Sequence, residues 1–471
     1  MKIALLLPPL ENKVKYFTGW QLNVSDYGTF PPLGLLYIAT VLKEQVKDVE
    51  VRIFDCPAQK IGYPELKTIL ENYAPDVVGM TVFTMCLVDV LKVACLAKSV
   101  NKNTHICVGG PHLFIYPRQT LEYPDVDSII VGEGESAFVE LIKQLKTRQT
   151  TSNIKGLYFK ADRAKTDFPK AVIENLDELP YFDTDFINKS IYYSTVGRQR
   201  NVITLLTARG CPYQCTFCDV PYKYFRGRSI ENILGEIKLR LKEGYKEIFF
   251  YDDTFNITPG RVIDLSKRII EEGLKFEWSF RGRVNSVTFE MLEAARQAGC
   301  QRIHFGIETG TDEGLMQLKK GITVEQIKNA ISWCRKLKVR TIGDFIIGLP
   351  FEKSKEDVLN NVDRLIGFFV DYAQFNFLQP IPGSEIYESG MKNGVIDPAK
   401  WEGFVRNPHP DFQPPLWTEY LKREDIANLL YLAYQRFYVR PAYILKEFFS
   451  LTSFHEFKRV LTGGVKILFK K

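Results

Sequence analysis

Several common signals are missing from this chain. No window reaches the roughly 18 apolar residues that a membrane-spanning helix needs, so an integral membrane protein is not expected. The N-terminal run MKIALLLPPLENK is apolar but short, and no small-residue cleavage site follows it. It reads as a first buried strand rather than a secretion signal, and a cytoplasmic location is expected. Charge of one sign is also scarce: a net +6 over 471 residues gives no footing for nucleic-acid binding. An ordered disulfide framework is equally absent. The nine cysteines are an odd count, and Cys56, Cys86, Cys95, Cys107, Cys300 and Cys334 lie scattered in apolar segments, where they read as small buried hydrophobes.

What is present is a repeated alternation of short apolar runs and helical patterns. Over the first ~145 residues, strands are expected at 2–8, 49–55, 76–82, 105–111 and 128–134, with amphipathic helices between them. Such continuous apolar strands indicate a parallel sheet covered on both faces, whose ligands sit beyond the strand carboxyl ends. Residues 146–200 change character: GLYFKADRAKTDFPKAVI looks like a hairpin and DELPYFDTDF like a linker. From 201 to 380, strands are expected at 202–208, 247–253, 275–284, 302–308, 340–348 and 372–380. Six consecutive strand–helix units suggest a barrel or an open part of one, with its chemistry at the strand C-termini. A Pro- and Trp-rich loop then leads into a helical tail, 421–471.

The loop after the first barrel strand reads ARGCPYQCTFCDV, placing Cys211, Cys215 and Cys218 within eight residues. In a reducing compartment such spacing points to metal rather than to a disulfide. A closed structural zinc site wants four ligands. No fourth Cys or His stands nearby; His304 and His409 are the only later histidines before the tail. Three thiolates on a cubane iron–sulfur cluster leave one iron without a protein ligand, a catalytic arrangement. A zinc site completed by a remote histidine is the competing reading.

GCPYQCTFCDV resembles the signature of the radical S-adenosylmethionine (SAM) superfamily, with Phe217 at its aromatic position. The likeness continues through YDDTF, FGIETG, KKGIT, FIIGLP and PIPGSEIYE. Upstream, FPPLGLLYIA, FDCPA, PDVVGMT, VGGPH and VGEGES are similar to the cobalamin-binding domain of the cobalamin-dependent branch. The resemblance spans residues 1–390. It implies an α/β protein with a Rossmann-like cobalamin-binding domain (1–146), a hairpin and linker (147–200), a partial (β/α)6 TIM-like barrel (201–390) and a C-terminal loop and helical domain (391–471). It also implies that Cys211, Cys215 and Cys218 hold a [4Fe–4S] cluster whose open iron binds SAM. One electron then cleaves SAM to methionine and a 5′-deoxyadenosyl radical. Asp252, Asp253 and Thr254 would receive the SAM ammonium, Glu308 the ammonium or ribose hydroxyls, and Arg281 or Arg283 the carboxylate. Phe217 and Ile347–Gly348 would pack against adenine. The superfamily's Gly-Gly-Glu stretch is replaced here by Tyr251–Asp252–Asp253, which leaves the SAM-binding acid open. Lys319 and Lys320 read as a solvated helix end, and His304 as an oriented core or substrate-pocket residue.

Many cobalamin-binding domains carry D-x-H-x-x-G, whose histidine ligates cobalt. Here Asp55 is followed by Cys56 and Pro57, so no imidazole ligand comes from the 55–62 loop. His112 is the only other histidine near that rim. The benzimidazole tail is expected near Thr81, Gly109 and Gly110, and the corrin against Leu33, Gly34 and the stretch Gly132, Glu133 and Gly134. The basic tail could lie on an anionic membrane or pack on the barrel with its lysines snorkelling outward, and packing is favoured. The expected function is modification of an unactivated carbon, foremost by methyl transfer through methylcobalamin. Oxidative or ring-forming chemistry without methyl transfer is the alternative. A methylthiotransferase and a cobalamin-binding sensor fit less well. A small substrate, aromatic or lipid-like, would sit among Trp278, His304, Tyr372, Phe375, Phe377 and the 403–417 loop, and an external flavodoxin- or ferredoxin-type donor would supply electrons.

Overall fold

The computed structural model describes residues 1–17, 28–148, 154–195, 197 and 201–450. The last part of the expected tail, 451–471, lies outside the described residues. The chain divides into two compact units: 1–16 with 29–192 and 398–414, and 17–28 with 193–397 and 415–471. Residues 147–192, expected as hairpin and linker, thus belong to the first unit, and so do 398–414.

In the first unit, β1 (Lys2–Leu7), α1 (Leu33–Gln45), β2 (Glu50–Asp55), α2 (Tyr63–Tyr73), β3 (Val77–Thr81), α3 (Leu87–Val100), β4 (His105–Gly109), β5 (Ser128–Ile130) and α4 (Gly134–Thr147) alternate as expected. The five strands run parallel in the order β2-β1-β3-β4-β5. Ile3, Ala4, Leu5 and Leu6 are all buried, which is why β1 reads as an unbroken apolar run. The chain order reverses between β1 and β3, the place where such sheets bind ligands.

The expected hairpin is not one. β6 (Leu157–Phe159) instead joins the main sheet antiparallel to β5. The Asp162 carboxylate accepts from the Phe159 N–H at 2.8 Å and turns the chain into a short 3-10 helix, so no local return strand can pair. Ala171 then bridges Gly132. Residues 398–414 carry the helix Pro398–Arg406, whose Trp401 and Phe404 pack on Phe412, with the Phe404 and Phe412 rings stacked at 4.3 Å. Part of the 403–417 loop therefore builds a core within the first unit.

The second unit holds β7 (Val202–Leu205), α5 (Ile230–Lys242), β8 (Glu247–Phe250), α6 (Pro259–Glu271), β9 (Glu277–Gly282), α7 (Phe289–Gln297), β10 (Cys300–Glu308), α8 (Val324–Lys336), β11 (Arg340–Ile347), α9 (Lys355–Ile366) and β12 (Tyr372–Phe377). Its strands form one parallel sheet in sequential order. Each helix opens on a Ser or Thr whose hydroxyl accepts the backbone N–H three residues on: Ser229, Thr258, Thr288, Thr323 and Ser354. These N-caps satisfy orphan donors and set each helix start.

β12 is an edge strand of that sheet. Its free edge is covered by α10 (Arg423–Tyr438), followed by α11 (Pro441–Ser450). The Tyr434 hydroxyl accepts from the Phe375 N–H at 3.1 Å and donates to the Phe375 carbonyl at 2.9 Å. Tyr438 does the same for Ala373, at 3.0 and 2.8 Å. Two phenols thus do for the edge what a neighbouring strand would do. This part of the tail packs on the barrel. Among the described residues no helix is long and apolar enough to cross a membrane.

Candidate active site

The cysteine loop leaves the C-terminal end of β7 and is closed at its neck by an antiparallel pair, Ala208–Arg209 against Arg226–Gly227. Gly210 adopts φ +81°, and a Cβ there would collide with the Tyr224 carbonyl, so the turn requires glycine. Cys211 N–H donates to Tyr222 O at 3.0 Å and Cys218 N–H to Cys215 O at 3.1 Å. Thr216 is pinned on both sides, donating to Leu318 O at 3.0 Å and accepting from Ile386 N–H at 2.9 Å. Phe217 packs beside Leu318, Ile346, Leu349, Leu378, Ile386 and Trp417. The three thiols are half-buried, and burial raises the pKa of Cys218.

Neighbouring strand ends contribute the rest of the rim. Thr254 Oγ1 lies 3.3 Å from Cys211 Sγ. Arg283 stacks on the Tyr213 ring at 3.7 Å and reaches Cys215 Sγ at 3.6 Å. It also donates to Asn285 Oδ1 at 3.3 Å and to the Lys320 carbonyl. Its guanidinium is thereby committed to holding the loop. Arg281 is exposed, its guanidinium lies over the Tyr251 ring at 4.0 Å, and its side chain makes no hydrogen bond among the described residues. Of the two arginines, Arg281 is the one with an available fork.

The acids divide in the same way. Asp252 is buried, accepts from the Thr207 N–H at 2.6 Å and from the Thr207 hydroxyl, and is pushed up to about 6 by burial. A carboxylate so occupied ties two strand ends together and has no face left for an ammonium group. Asp253 is exposed, and accepts from the Gly210 N–H at 3.1 Å. Glu308 ends β10 with φ +71°, an uncommon conformation for a non-glycine residue. Its carboxylate pairs with Lys320 at 2.6 Å, both side chains buried. Lys320 is therefore no solvated helix end, because a tertiary partner draws it inside. Gly348, at φ +71°, follows β11 beside Ile426. Two residues expected in the pocket lie elsewhere. Trp278 is fully buried with Phe250, Phe255 and Phe280 and bonds Ala298 O at 2.9 Å. Phe375 faces Tyr434 and Phe437 of the helix layer.

In the first unit, Asp55 accepts from Ala58 N–H at 3.2 Å and from the Tyr192 hydroxyl at 3.0 Å, which anchors the loop that carries Pro57. Thr81 pairs in register with Gly109. A Cβ on Gly109 would meet nothing nearer than Ile130 O at 3.8 Å, and one on Gly34, in the first turn of α1 after Leu33, nothing within 4 Å. Beneath them Gly79 is covered by Leu5 and Phe138. The face above Phe138, at the strand ends, is thus open. Gly110, at φ +117°, lets the chain fold back over Val82. His112 is buried, pairs with Thr84 Oγ1 at 2.9 Å and is held neutral, down to about 3, by burial. Gly132, Glu133 and Gly134 are accounted for by the chain itself: Ala171 fills the space beside Gly132, Glu133 accepts from Ile173 N–H at 2.6 Å, and Gly134 lies against Ile38.

Among the described residues, no three His, Cys, Asp or Glu groups converge as one mononuclear metal centre would require. Thiolates of such a centre stand about 3.8 Å apart, given Zn–S bonds of about 2.3 Å. Cys211, Cys215 and Cys218 put three thiols on one pinned loop, a donor set whose chemistry fits an iron–sulfur cluster.

Two family profiles match the chain: the Radical SAM superfamily over residues 205–363 and the B12 binding domain over 20–142. The fold and the rim thus define a radical SAM barrel together with a cobalamin-binding unit. An uncharacterized methyltransferase of Pyrococcus horikoshii is 33% identical over 100% of this chain and 99% of its own length. The anaerobic magnesium-protoporphyrin IX monomethyl ester cyclase of Rubrivivax gelatinosus is 26% identical over 94% of this chain and 79% of its own. The cobalamin-dependent S-adenosylmethionine radical enzyme OxsB, solved with aqua-cobalamin bound, superposes with a TM-score of 0.70 at 19% identity, over 98% of this chain and 70% of OxsB. The chain belongs to the cobalamin-dependent radical SAM family, whose cofactors are a [4Fe–4S] cluster, SAM and cobalamin.

Proposed function

We propose that this enzyme methylates an unactivated carbon of a small molecule, and that Cys211, Cys215 and Cys218 are its cluster ligands. The observation that carries the reading is the three-thiol loop at the end of the first barrel strand, pinned by its backbone bonds and backed by Arg283. When bound, the cluster delivers the electron that cleaves SAM to the 5′-deoxyadenosyl radical, and cobalamin supplies the methyl group.

The chain's own residues prepare that chemistry. Arg283, 3.6 Å from Cys215 Sγ, holds the thiol loop in place. Asp253 offers an exposed carboxylate to the SAM ammonium, and Arg281 an uncommitted guanidinium to its carboxylate. Glu308, fixed by Lys320, faces the ribose or ammonium. In the first unit, Thr81 and Gly109 leave room for the cobalamin tail, and Gly34 for the corrin edge. Pro57 cannot ligate cobalt. A flavodoxin- or ferredoxin-type protein is the electron donor.

Anoxically purified enzyme is the test. Iron, sulfide and cobalt analysis with an ultraviolet–visible spectrum should report one [4Fe–4S] cluster and one cobalamin per chain. Reduced enzyme given SAM should form 5′-deoxyadenosine, and also methylcobalamin with equimolar S-adenosylhomocysteine. Deoxyadenosine without any S-adenosylhomocysteine would favour the oxidative or ring-forming alternative. Cys215→Ala should abolish deoxyadenosine yet still bind cobalamin.

A further inference from the structure

The interior of the second unit is built in layers, as in closed barrels. The lowest is sealed by the Arg302–Glu247 ion pair at 2.9 Å, with Ser279 3.2 Å from the same guanidinium. Above it the His304 ring stacks on Phe249 at 4.9 Å, and Ile342 stands beside His304 in register. Residues 342, 344 and 346 of β11 share this inner face, because the alternate Phe345 packs outward on Phe375. Asp344 is therefore one inward position further along than Ile342, beside Gly306 and near Arg281, Glu308 and Lys320.

Besides Oγ1 of Thr204, the residue in register with Phe249, two larger polar side chains of this interior lack a partner among the described residues. His304 Nε2 is buried and bonded to nothing. The Asp344 carboxyl, half-buried, makes no hydrogen bond and no ion pair. Burial, with Arg302 and Arg281 nearby, holds the imidazole neutral, while burial and Glu308 push Asp344 up to about 7. Leaving a buried polar group unsatisfied is costly, and native proteins keep few such groups. An ordinary core would place leucine at either position. Both groups stand on the inner face of the sheet, below the strand end that carries Glu308 at the rim.

The chemistry of the pair selects its partner. A neutral imidazole has one donor and one acceptor, and a carboxylate accepts. A carboxylate or phosphate ligand would meet Asp344 and Glu308. A cation would meet Arg281 and Lys320. A hydroxyl meets neither objection: its proton goes to Asp344, and its oxygen accepts from the imidazole N–H. We propose that His304 and Asp344 anchor a hydroxyl of the substrate, which is then an alcohol or phenol whose remainder is apolar and lies against Phe249 and Ile342. The two are specificity-determining residues for the reaction proposed above, and the inference rests on that reading because the same rim is assigned to SAM.

The test uses a matched pair of probes, benzyl alcohol and toluene, titrated into the SAM-loaded enzyme by ligand-observed NMR. Wild type should bind the alcohol about tenfold more tightly, as one to two net hydrogen bonds provide. Asp344→Leu and His304→Phe should each cut that preference to about twofold or less, with toluene affinity preserved or improved. Equal affinity for the two probes in wild type, binding of neither, or a preference that survives both substitutions would overturn the proposal. Iron and sulfide content of each variant reports whether it folds. The titration needs no turnover, so an enzyme that cleaves no SAM discredits the proposed function and still returns an answer about the hydroxyl.

Discussion

At the scale of single residues, the site is decided by which charged groups are already committed. Arg283 and Asp252 look as available in sequence as Arg281 and Asp253. The folded chain occupies the first pair with the Lys320 carbonyl, Cys215 and Thr207, and leaves the second pair at the surface. Asp344 is the unusual member, a carboxyl raised from 3.8 to about 7 with no hydrogen bond to repay its burial. Between those two values the native state keeps a proton that the unfolded chain has released. Wild-type stability should therefore fall as pH rises across that window and level off above about 7. Asp344→Asn has no such loss. Its melting temperature should exceed that of wild type by little at about pH 5 and by a larger, constant margin from about pH 7.5 upward, followed by differential scanning fluorimetry. A margin independent of pH would mean that Asp344 is ionised throughout. A stabilising substitution at a functional position is the usual trade between activity and stability.

At the scale of elements, the strands were legible because buried parallel strands must be continuous apolar runs, and the helices because amphipathic patterns lie between those runs. The cysteine loop was legible from spacing alone. Other features were legible only in part or not at all. The segment 157–173 has the composition of a hairpin, but its pairing partner, β5, lies some thirty residues upstream, and local pattern carries no such information. Lys320 resembles any solvated lysine until the fold brings Glu308 to it. Asp344 carried a readable hint: a lone acid at an inward position of the apolar strand RTIGDFIIG. The tail's aromatic residues also had a use that no pattern discloses, since Tyr434 and Tyr438 each close one residue of the edge strand β12. Replacing either by Phe should leave an N–H and a carbonyl unpaired and cost about 1–3 kcal/mol. The double variant should also expose a pairing edge and raise light scattering on heating. An unchanged melting temperature with no added scattering would show that the helix needs only its apolar contacts to cover the sheet.

At the scale of the whole molecule, two cofactor chemistries reside on two units that the same chain builds by the same strand–helix alternation. In each unit the expected ligand face is at the carboxyl ends of the strands, where glycines would allow close approach. The glycines of the first unit are not equivalent, and the difference separates folding from binding. Gly110 and Gly132 have φ of +117° and +103°, and a Cβ on either would strike the backbone of Val82 or Ala171. Substitution there disturbs the fold. Gly109 has ordinary strand geometry and open space where a side chain would stand, with Ile130 O the nearest atom at 3.8 Å. Gly109→Val should therefore fold, because a β-branched residue suits a strand, while its methyls occupy the face left open beside Thr81. Wild-type enzyme should gain about 2.7 kcal/mol of stability from hydroxocobalamin at a hundred times its Kd, seen as a rise in melting temperature that tracks ligand concentration. In Gly109→Val that rise should vanish, with the ligand-free melting temperature and the iron content unchanged. If the variant keeps the full cobalamin-dependent shift, the open face above Phe138 is not where cobalamin enters, and the binding site must be sought elsewhere on that unit.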